Sequence, residues 1–239
     1  MRLDLLPARS GSAAENMATD FLLLQRYPEK ENARFRHYSW HRPAFTFGYG
    51  QPLEFVRAQL PANETVELCR RPTGGGVVDH RNDWTYSLVI PSEHKLCEAR
   101  ATESYRLVHD CIAEAFRALS QPALLKEPEP TLAIDTAGCE PGVCFTKAEV
   151  YDVVHPRTGT KIAGAAQKRS KQGMLFQGSI ARSAVSPSLD WDAFEQQLTA
   201  KLGAALHAVP TVVPWPEISE EELTALTDQY STEEWNAYR

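Results

Sequence analysis

Three segments of the sequence combine residue types that could bind and transfer an acyl group. In the first, residues 70–80, two arginines precede Gly74, Gly75 and Gly76. Glycines let the backbone approach a ligand closely and direct several amides at it, so a carbonyl, carboxylate or phosphate oxygen can be held there. A glycine-rich hairpin turn explains the composition equally well. The segment lacks the spacings of a P-loop and of a dinucleotide fingerprint, so neither is predicted.

The second segment, residues 161–167, places Lys161 before a run of small residues that includes Gly164 and Ala166. Small side chains leave space beside a strand, and a narrow acyl chain can lie in it. Lys161 opens the predicted strand, so its ammonium can point at the head group of that ligand. Taken alone, a lysine after a turn is more often a solvated surface residue, and small residues also permit close packing of a strand against a helix.

The third segment contains Cys144, between a stretch rich in proline and glycine and a predicted strand. A thiol is a natural acceptor for an acyl thioester, because the exchange is nearly isoenergetic and the thiolate is a strong nucleophile. A nearby cation such as Lys161 would raise the thiolate fraction of a group whose ordinary pKa is about 8.5. From the sequence alone, a buried structural cysteine is the more common case.

The periodicity of the chain predicts the elements that position these segments. Apolar residues recur every three or four positions in predicted helices at residues 12–26, 101–119 and 190–206, and a further helix starts at Ser219. The predicted strands are residues 35–40, 44–49, a strand ending near residue 70, 77–80, 84–90, 150–155, 161–169 and 174–180, with 77–80 and 84–90 expected to pair with each other. These elements do not alternate as βαβ units, so the sequence predicts an α+β fold with a mixed, largely antiparallel central sheet flanked by helices.

Length and composition limit the classes of protein to which the chain can belong. It has 239 residues, of which 43% are hydrophobic, which fits a single catalytic domain over residues 1–239. A net charge of −6 argues against a nucleic-acid partner. No apolar stretch reaches the about 18 residues of a membrane span. Without a recognisable signal peptide either, we expect a cytoplasmic protein with no membrane partner.

The cysteines predict neither a metal site nor a disulfide framework. They are Cys69, Cys97, Cys111, Cys139 and Cys144. Their number is odd and no pair has the CxxC spacing of a zinc site. We therefore expect reduced thiols, of which one is reactive, and no bound metal.

Taken together and in order, these motifs resemble one superfamily, the biotin and lipoate protein ligases and acyltransferases. Residues 70–80 match its first signature, and residues 161–167 with 178–180 match its second. Residues 16–20 near the start and residues 230–236 near the end are similar as well, so the resemblance spans nearly the whole chain. It implies the catalytic-domain fold of the biotin and lipoate ligases, without the accessory domain that similar ligases carry.

Within the superfamily, the order Cys144, Asp152, Lys161 is similar to the single-domain octanoyltransferases that use a cysteine nucleophile. The resemblance implies that Cys144 attacks octanoyl-acyl carrier protein while Lys161 stabilises the oxygen charge. The lysine of a lipoyl domain, in the glycine cleavage H protein or a 2-oxoacid dehydrogenase E2, would then accept the octanoyl group in lipoate biosynthesis. No cofactor is implied. The implied substrate-binding residues are Arg71, Thr73, Gly74, Gly75, Gly76, His80, Tyr86, Asp152, Gly164, Ala166 and Gly178.

Other functions stay open at this point. An ATP-dependent lipoate-protein ligase would need ATP and Mg²⁺, and the chain has Tyr151-Asp152 where such ligases often have Asn-Asp. Transfer between two lipoyl domains would use the same residues. A non-catalytic sensor of an acyl group or cofactor would need the pocket without the pairing of Cys144 and Lys161.

Departures from the family pattern concern the pocket and its surroundings. Gln177 stands where many relatives have a histidine, and Phe21 stands where an acidic residue is common, so both positions could reshape the pocket that sets the acyl chain length. The basic turn at residues 168–171 could dock an acidic carrier by charge complementarity. A solvated hairpin tip explains that turn equally well.

Overall fold

The main sheet has eight strands, and the computed structural model describes them within residues 1–128 and 148–238. In chain order the strands of the described residues are β1 (Arg2–Gly11), β2 (Ala33–Trp40), β3 (Ala44–Phe47), β4 (Glu67–Arg70), β5 (Val77–Asp79), β6 (Asp83–Pro91), β7 (Leu124–Leu125), β8 (Val153–Val154), β9 (Lys161–Ser170), β10 (Gly173–Ala181) and β11 (Val209–Val212). The order in the main sheet is β11-β1-β2-β6-β10-β9-β8-β7. Strand β1 pairs in parallel with both β11 and β2. Each of the remaining neighbouring pairs along the sheet, from β2-β6 to β8-β7, is antiparallel. The predicted α+β class with a mixed, largely antiparallel sheet is confirmed.

Helices cover both faces of this sheet. They are α1 (Ala13–Gln25), α2 (Leu53–Arg57), α3 (Ala101–Ala118), α4 (Trp191–Ala205), α5 (Glu220–Ser231) and α6 (Glu233–Asn236). Helix α1 starts where the sequence predicts, because the Ser12 side chain accepts a hydrogen bond from the N–H of Glu15 and the Glu15 carboxylate accepts one from the N–H of Ser12. Within residues 1–128 and 148–238, none of the helices has the length and hydrophobicity of a membrane span.

The side chains of strand β6 point alternately to the two faces of the main sheet. Trp84, Tyr86 and Leu88 join the core cluster that packs against α3 and α4. Thr85 and Ser87 point to the opposite face, because successive side chains of a strand alternate. Ser87 donates a hydrogen bond to a carboxylate on α1, so β6 presents a buried polar face toward that helix.

A second, smaller sheet of three strands has the order β4-β3-β5. Strand β5 pairs with β3, whereas β6 pairs with β2 and β10 in the main sheet. The expectation that residues 77–80 pair with residues 84–90 is therefore wrong. The N–H of His80 donates to the carbonyl of Ala44 at 3.0 Å, so the chain stays with β3 up to His80 and then crosses to the main sheet.

Two strands differ from the sequence prediction in extent. The sequence did not predict β1. The pairing of β1 with β2 shifts register between Leu6 and Arg9, because the proline at position 7 lacks the N–H that a regular ladder needs. The strand expected over residues 150–155 shortens to β8, because Tyr151 lies in a turn with φ of +68°. The predicted loop at residues 121–142 lies mostly outside the described residues.

Candidate functional site

A narrow cavity lies between α1, β3 and the strands β9 and β10. It contains about 380 Å³ of empty space, including its open mouth. Gly75 and Ala166 in its wall are exposed or half-buried, whereas Met17, Tyr38 and Thr46 are buried. The cavity therefore opens beside β9 and ends against α1 and the small sheet. Its lining residues are Met17, Tyr38, Thr46, Arg71, Gly75, Val78, His80, Thr85, Gly164, Ala165, Ala166, Gln177, Gly178 and Ser179.

The glycine bend, residues 74–76, forms part of the mouth. Gly75 has a φ of +88°, in the region that favours glycine. The bend also lies directly on Gly48: a Cβ at position 48 would come 2.0 Å from the carbonyl oxygen of Gly75. The close approach of backbone to backbone requires glycine at position 48, and the positive φ favours glycine at position 75.

Arg71 donates hydrogen bonds to backbone carbonyls of the glycine bend and so holds the bend in place. Its Nη2 donates to the carbonyl of Gly74 at 2.9 Å and to that of Gly76 at 2.8 Å. The C=O and N–H groups of a trans peptide point in opposite directions. The N–H of Gly75, a residue that lines the cavity, therefore points away from Arg71.

Gln177 joins the bend to α1. The Thr73 hydroxyl donates to the Gln177 Oε1 at 2.8 Å, and the Gln177 Nε2 donates to the Asp20 Oδ2 at 2.8 Å. Asp20 is fully buried and also accepts from Arg36 at 2.7 Å and from the Tyr38 hydroxyl at 3.0 Å. A buried carboxylate needs such donors, because an isolated charge in the interior is costly. The wall of the cavity is thus held by a polar network rather than by apolar contacts alone.

A buried ion pair of Lys161 and Asp152 lies beside the cavity wall. The Lys161 Nζ is 2.8 Å from the Asp152 Oδ2, and the two side chains are 4% and 0% exposed. Asp152 also accepts from the Tyr105 hydroxyl at 2.5 Å and from the N–H of Glu149 at 2.7 Å. A Cβ at Gly164 would lie 2.6 Å from the Lys161 Nζ, so Gly164 makes room for the ammonium. An ammonium at this position can stabilise negative charge that develops on a ligand oxygen near the mouth.

The buried aromatic groups near this ion pair are neutral. The His109 ring lies tilted against that of Tyr105 with 4.0 Å between ring centroids, and burial lowers the pKa of His109 to about 4 despite the opposing charge of Asp152. Burial also raises the pKa of Tyr86. The His109 Nε2 and the Tyr86 hydroxyl have no hydrogen-bond partner among the described residues. The charges at this place are therefore those of Lys161 and Asp152.

His80 lies in the wall near the inner end, within a second polar network. Its Nδ1 is 2.7 Å from the Asp83 Oδ2, and its Nε2 is 2.7 Å from the Thr46 Oγ1. The indole of Trp40 stacks on the imidazole with 4.2 Å between ring centroids. His80 is thus fixed on both ring nitrogens and on one face.

Most of the site residues predicted from the sequence lie together around this cavity. Those that line it are Arg71, Gly75, His80, Gly164, Ala166 and Gly178. Thr73, Gly74 and Gly76 hold the bend through their hydrogen-bond partners. Lys161 and Asp152 lie next to Gly164.

Tyr86 lies apart from the lining residues, and Cys144 lies outside the described residues. Tyr86 belongs to the face of β6 that packs on α3, and its ring lies under Gly178, where an added Cβ would come 2.2 Å from it. It therefore shapes the strand beneath the cavity instead of lining it. That Cys144 and Lys161 face each other therefore stays a prediction.

The sequence analysis did not single out Thr46, Asp83 and Thr85, which complete the wall and its support together with Ser179 of the second signature. Thr46 and Thr85 are in predicted strands but follow no chemical motif. A usable signal is present in β6, where Asp83, Thr85 and Ser87 alternate with large apolar residues in a strand that is buried on both faces. A buried polar face of this kind marks a binding wall or a polar network.

The comparison with known families agrees with this geometry. The sequence pattern of the lipoyl protein ligase A/B catalytic domain matches residues 12–203, a span that contains the glycine bend, the ion pair and the strands around the cavity. The chain belongs to this family. The resemblance inferred from the sequence motifs is confirmed.

Curated relatives within the lipoyl protein ligase A/B family are similar over most of the chain. Octanoyltransferase LipM of Halalkalibacterium halodurans is 35% identical over 171 residues, which cover 70% of this chain and 61% of the relative. Octanoyltransferase LipM of an Exiguobacterium species is 34% identical over 203 residues, which cover 82% of this chain and 71% of the relative. The match thus spans less than two thirds of the length of the first of these proteins.

Solved structures share the fold of the lipoyl protein ligase A/B family with this chain. A crystal structure of lipoate-protein ligase A bound with ATP has a TM-score of 0.72, covers 99% of both chains and is 20% identical. A bi-partite lipoate protein ligase from Thermoplasma acidophilum has a TM-score of 0.71, covers 99% of this chain and 96% of its own, and is 22% identical. At these identities the likeness establishes the fold alone.

Proposed function

We propose that this protein is an octanoyltransferase, which moves a medium-chain acyl group from acyl carrier protein to the lysine of a lipoyl domain. The observation that carries the proposal is the position of the Lys161–Asp152 ion pair beside Gly164 in the wall of a narrow cavity. In this proposal a slim apolar chain would enter the cavity beside β9, and the reacting carbonyl at its mouth would lie near the ammonium. The similarity to proteins named octanoyltransferase LipM supports the same activity.

The cavity favours an unbranched acyl chain. Its wall contains one glycine and two alanines of β9 and the side chains of Met17 and Val78. Each methylene that enters contributes about 0.8 kcal/mol by leaving water. An octanoyl chain therefore supplies binding energy away from the reacting carbonyl, and that energy can hold the thioester at the mouth.

The chemistry at the mouth is the stabilisation of an oxyanion. When a thiolate attacks a thioester, the carbonyl oxygen gains negative charge. The ammonium of Lys161 and the N–H of Gly75 are groups that can meet such a charge, and preorganised donors of this kind usually make the largest contribution to catalysis. Asp152 holds Lys161 in place before the substrate arrives.

Cys144 is the proposed nucleophile. Its thiolate attacks the octanoyl thioester, a new thioester bond forms on its sulfur, and the carrier leaves as a thiolate that takes up a proton. The amine of the acceptor lysine then attacks this intermediate, an amide bond forms, the Cys144 thiolate leaves, and the amine releases a proton to solvent. Both steps balance without a cofactor, so neither ATP nor a metal is proposed.

The decisive experiment looks for the covalent intermediate. After incubation with octanoyl-acyl carrier protein, intact mass spectrometry should detect one octanoyl adduct, and peptide mapping should assign it to Cys144. Cys144→Ala should lose both adduct and transfer, whereas Cys97→Ala, a matched change at a half-buried thiol, should keep both. Full transfer by Cys144→Ala would exclude this nucleophile.

The other thiols of the described residues should not compete for the acyl group. Burial raises the pKa of Cys69 and of Cys111 to about 12 and raises the pKa of Cys97 as well. Since the thiolate is the reactive form, Cys69 and Cys111 should resist iodoacetamide at pH 8 until the protein is unfolded. Rapid alkylation of either thiol in the folded protein would contradict this expectation, and peptide mapping measures it.

Donor and energy source separate the remaining functions. A ligase would transfer free octanoate or lipoate only with ATP and Mg²⁺, and an amidotransferase would take the acyl group from one lipoyl domain to another. Binding of an octanoyl ligand without turnover of any donor would indicate a sensor. Transfer from octanoyl-acyl carrier protein in the absence of ATP is the result that the proposal expects.

A further inference from the structure

Four side chains near the inner end of the cavity form a hydrogen-bond relay. It runs from Asp83 through His80 and Thr46 to Arg71, with separations of 2.7, 2.7 and 2.8 Å. All four side chains are buried; residue exposure is 0% for Thr46, 4% for Arg71 and 7% for His80. Asp83 begins the main-sheet strand β6, whereas Thr46 lies in β3 of the small sheet and His80 directly follows β5, so the relay links the two sheets.

Donor and acceptor chemistry fixes the direction of every bond in the relay. A carboxylate only accepts, so the Nδ1 of His80 carries the ring hydrogen and donates to Asp83, which leaves Nε2 as the acceptor of that tautomer. The Thr46 hydroxyl then donates to Nε2, and its oxygen accepts from Arg71, because a guanidinium only donates. The relay therefore holds His80 in one tautomer.

The far end of the relay is anchored in the main sheet. The Asp83 Oδ2 also accepts hydrogen bonds from the hydroxyls of Ser179 and Thr85. The Thr85 hydroxyl in turn accepts from the indole N–H of Trp40 at 3.0 Å. Because β6 and β10 supply these groups, Asp83 is a fixed point from which the relay reaches the glycine bend.

We propose that Thr46 and Asp83 are positioning residues of the acyl site. Through His80 they hold the Arg71 guanidinium on the carbonyls of Gly74 and Gly76, and this keeps the N–H of Gly75 directed away from Arg71 toward the reacting carbonyl. A loosened Arg71 would let the bend rotate about its glycines and misdirect that amide. The kinetic consequence rests on the proposed acyl transfer, whereas the histidine tautomer does not.

Nuclear magnetic resonance tests the relay without any substrate. Spectra of ¹⁵N-labelled histidine rings should assign His80 to the tautomer that is protonated on Nδ1. In Thr46→Val the Nε2 loses its hydrogen-bond donor, so its ¹⁵N resonance should shift, while Thr46→Ser should leave it near the wild-type position. A wild-type His80 protonated on Nε2 would overturn the relay.

Kinetics test its consequence for catalysis. Thr46→Val and Asp83→Asn should each lower kcat about tenfold, less than the about hundredfold loss when an oxyanion donor is removed outright, with little change in KM for the acyl donor. The double variant should be no slower than the slower single variant, because both changes break one chain of contacts. Thr46→Ser keeps the hydroxyl and should restore kcat to near the wild-type value.

Controls separate the relay from packing and from the proposed function. Thr211→Val makes the same chemical change on β11, where the hydroxyl bonds to the carbonyl of Val209, and should leave kcat unchanged. If Thr46→Ser is as slow as Thr46→Val, the methyl packing matters and the proposal falls. If the wild-type protein transfers no octanoyl group but His80 has the expected tautomer, the proposed function fails and the relay stands.

Discussion

At the scale of residues, two buried carboxylates organise the polar side chains around the cavity. Asp20 and Asp83 collect hydrogen bonds from hydroxyl groups whose oxygen atoms lie in or behind the wall; these belong to Tyr38, Ser87, Thr85 and Ser179. Each hydroxyl has one hydrogen to give, and it is already used. The wall therefore presents carbon atoms and hydrogen-bond acceptors to a ligand, but few hydrogen-bond donors. Such a surface suits an acyl chain without polar groups.

The first prediction concerns Lys161. Lys161→Ala should lower octanoyl transfer at least about a hundredfold, because in the proposed mechanism its charge stabilises the developing oxyanion. Removal of one partner also leaves Asp152 unpaired and buried, which costs about 3–5 kcal/mol. Transfer rates and the free energy of unfolding should both be measured.

A second variant separates the chemical loss from the loss of stability. Lys161→Met with Asp152→Asn removes both charges, so the protein should regain much of its stability but stay inactive. Lys201→Ala, which breaks an exposed ion pair with Glu114 on α3 and α4, should keep full activity. A double variant with near-normal transfer would remove Lys161 from the mechanism.

At the scale of elements, the site depends on the small sheet lying against the main sheet. Strand β3 and the residues after β4 carry Thr46 and Arg71, while β9 and β10 carry Gly164 and Gln177. Gln177 and the His80 relay bridge the two sheets by hydrogen bonds. The shape of the cavity is therefore set by how closely these elements approach each other.

Gly48→Ala tests this closeness. The added Cβ would come 2.0 Å from the carbonyl oxygen of Gly75, so the glycine bend must move, and overpacking of this kind costs about 1–3 kcal/mol. Transfer should fall at least about tenfold, since a displaced bend misplaces its amide. Gly50→Ala is a matched control, because nothing lies within 4 Å of its added Cβ. Equal rates for both variants would show that the bend takes no part in catalysis.

The hairpin of β9 and β10 carries a second prediction at this scale. Residues 153–189 contain six lysines and arginines and no acidic residue, in a chain with a net charge of −6. Lys168→Glu near the end of β9 with Lys171→Glu at the hairpin tip should raise KM for an acidic acyl carrier, more at low salt than at high salt. The kcat with a small octanoyl thioester should not change, and Lys30→Glu on the exposed loop after α1 should have no effect on either. An unchanged KM for the carrier would show that these lysines take no part in docking it.

At the scale of the whole molecule, acid should destabilise the fold through His109. Burial lowers the pKa of His109 to about 4 in the folded protein, against about 6.5 in an unfolded chain. As the pH falls below about 6.5 the unfolded chain binds the proton first, so stability is lost down to about pH 4, by up to about 3 kcal/mol. Urea unfolding at pH 7 and pH 5 should detect the loss. A smaller loss in His109→Gln than in the same substitution at exposed His41 would support this cause, and an equal loss would contradict it.

Local patterns in the sequence determined much of the architecture. The cap of α1 by Ser12 and Glu15, the helix periodicity of α3 and the long antiparallel strands β9 and β10 follow from residues close to one another in the chain. The glycine run and Lys161 were recognisable for the same reason: their chemistry is carried by neighbouring residues. The order of these motifs along the chain then indicated the family.

Tertiary structure alone decided which distant groups meet. No local pattern tells whether Tyr86 points to α1 or to α3, because the face of a strand is chosen by what packs on it. The separation of β5 from β6 into different sheets depends on β3, whose residues precede their β5 partners by 30 to 34 positions. The link from Asp83 to Arg71 through Thr46 likewise needs three strands brought together, since a hydrogen bond depends on distance in space and not on spacing in the sequence.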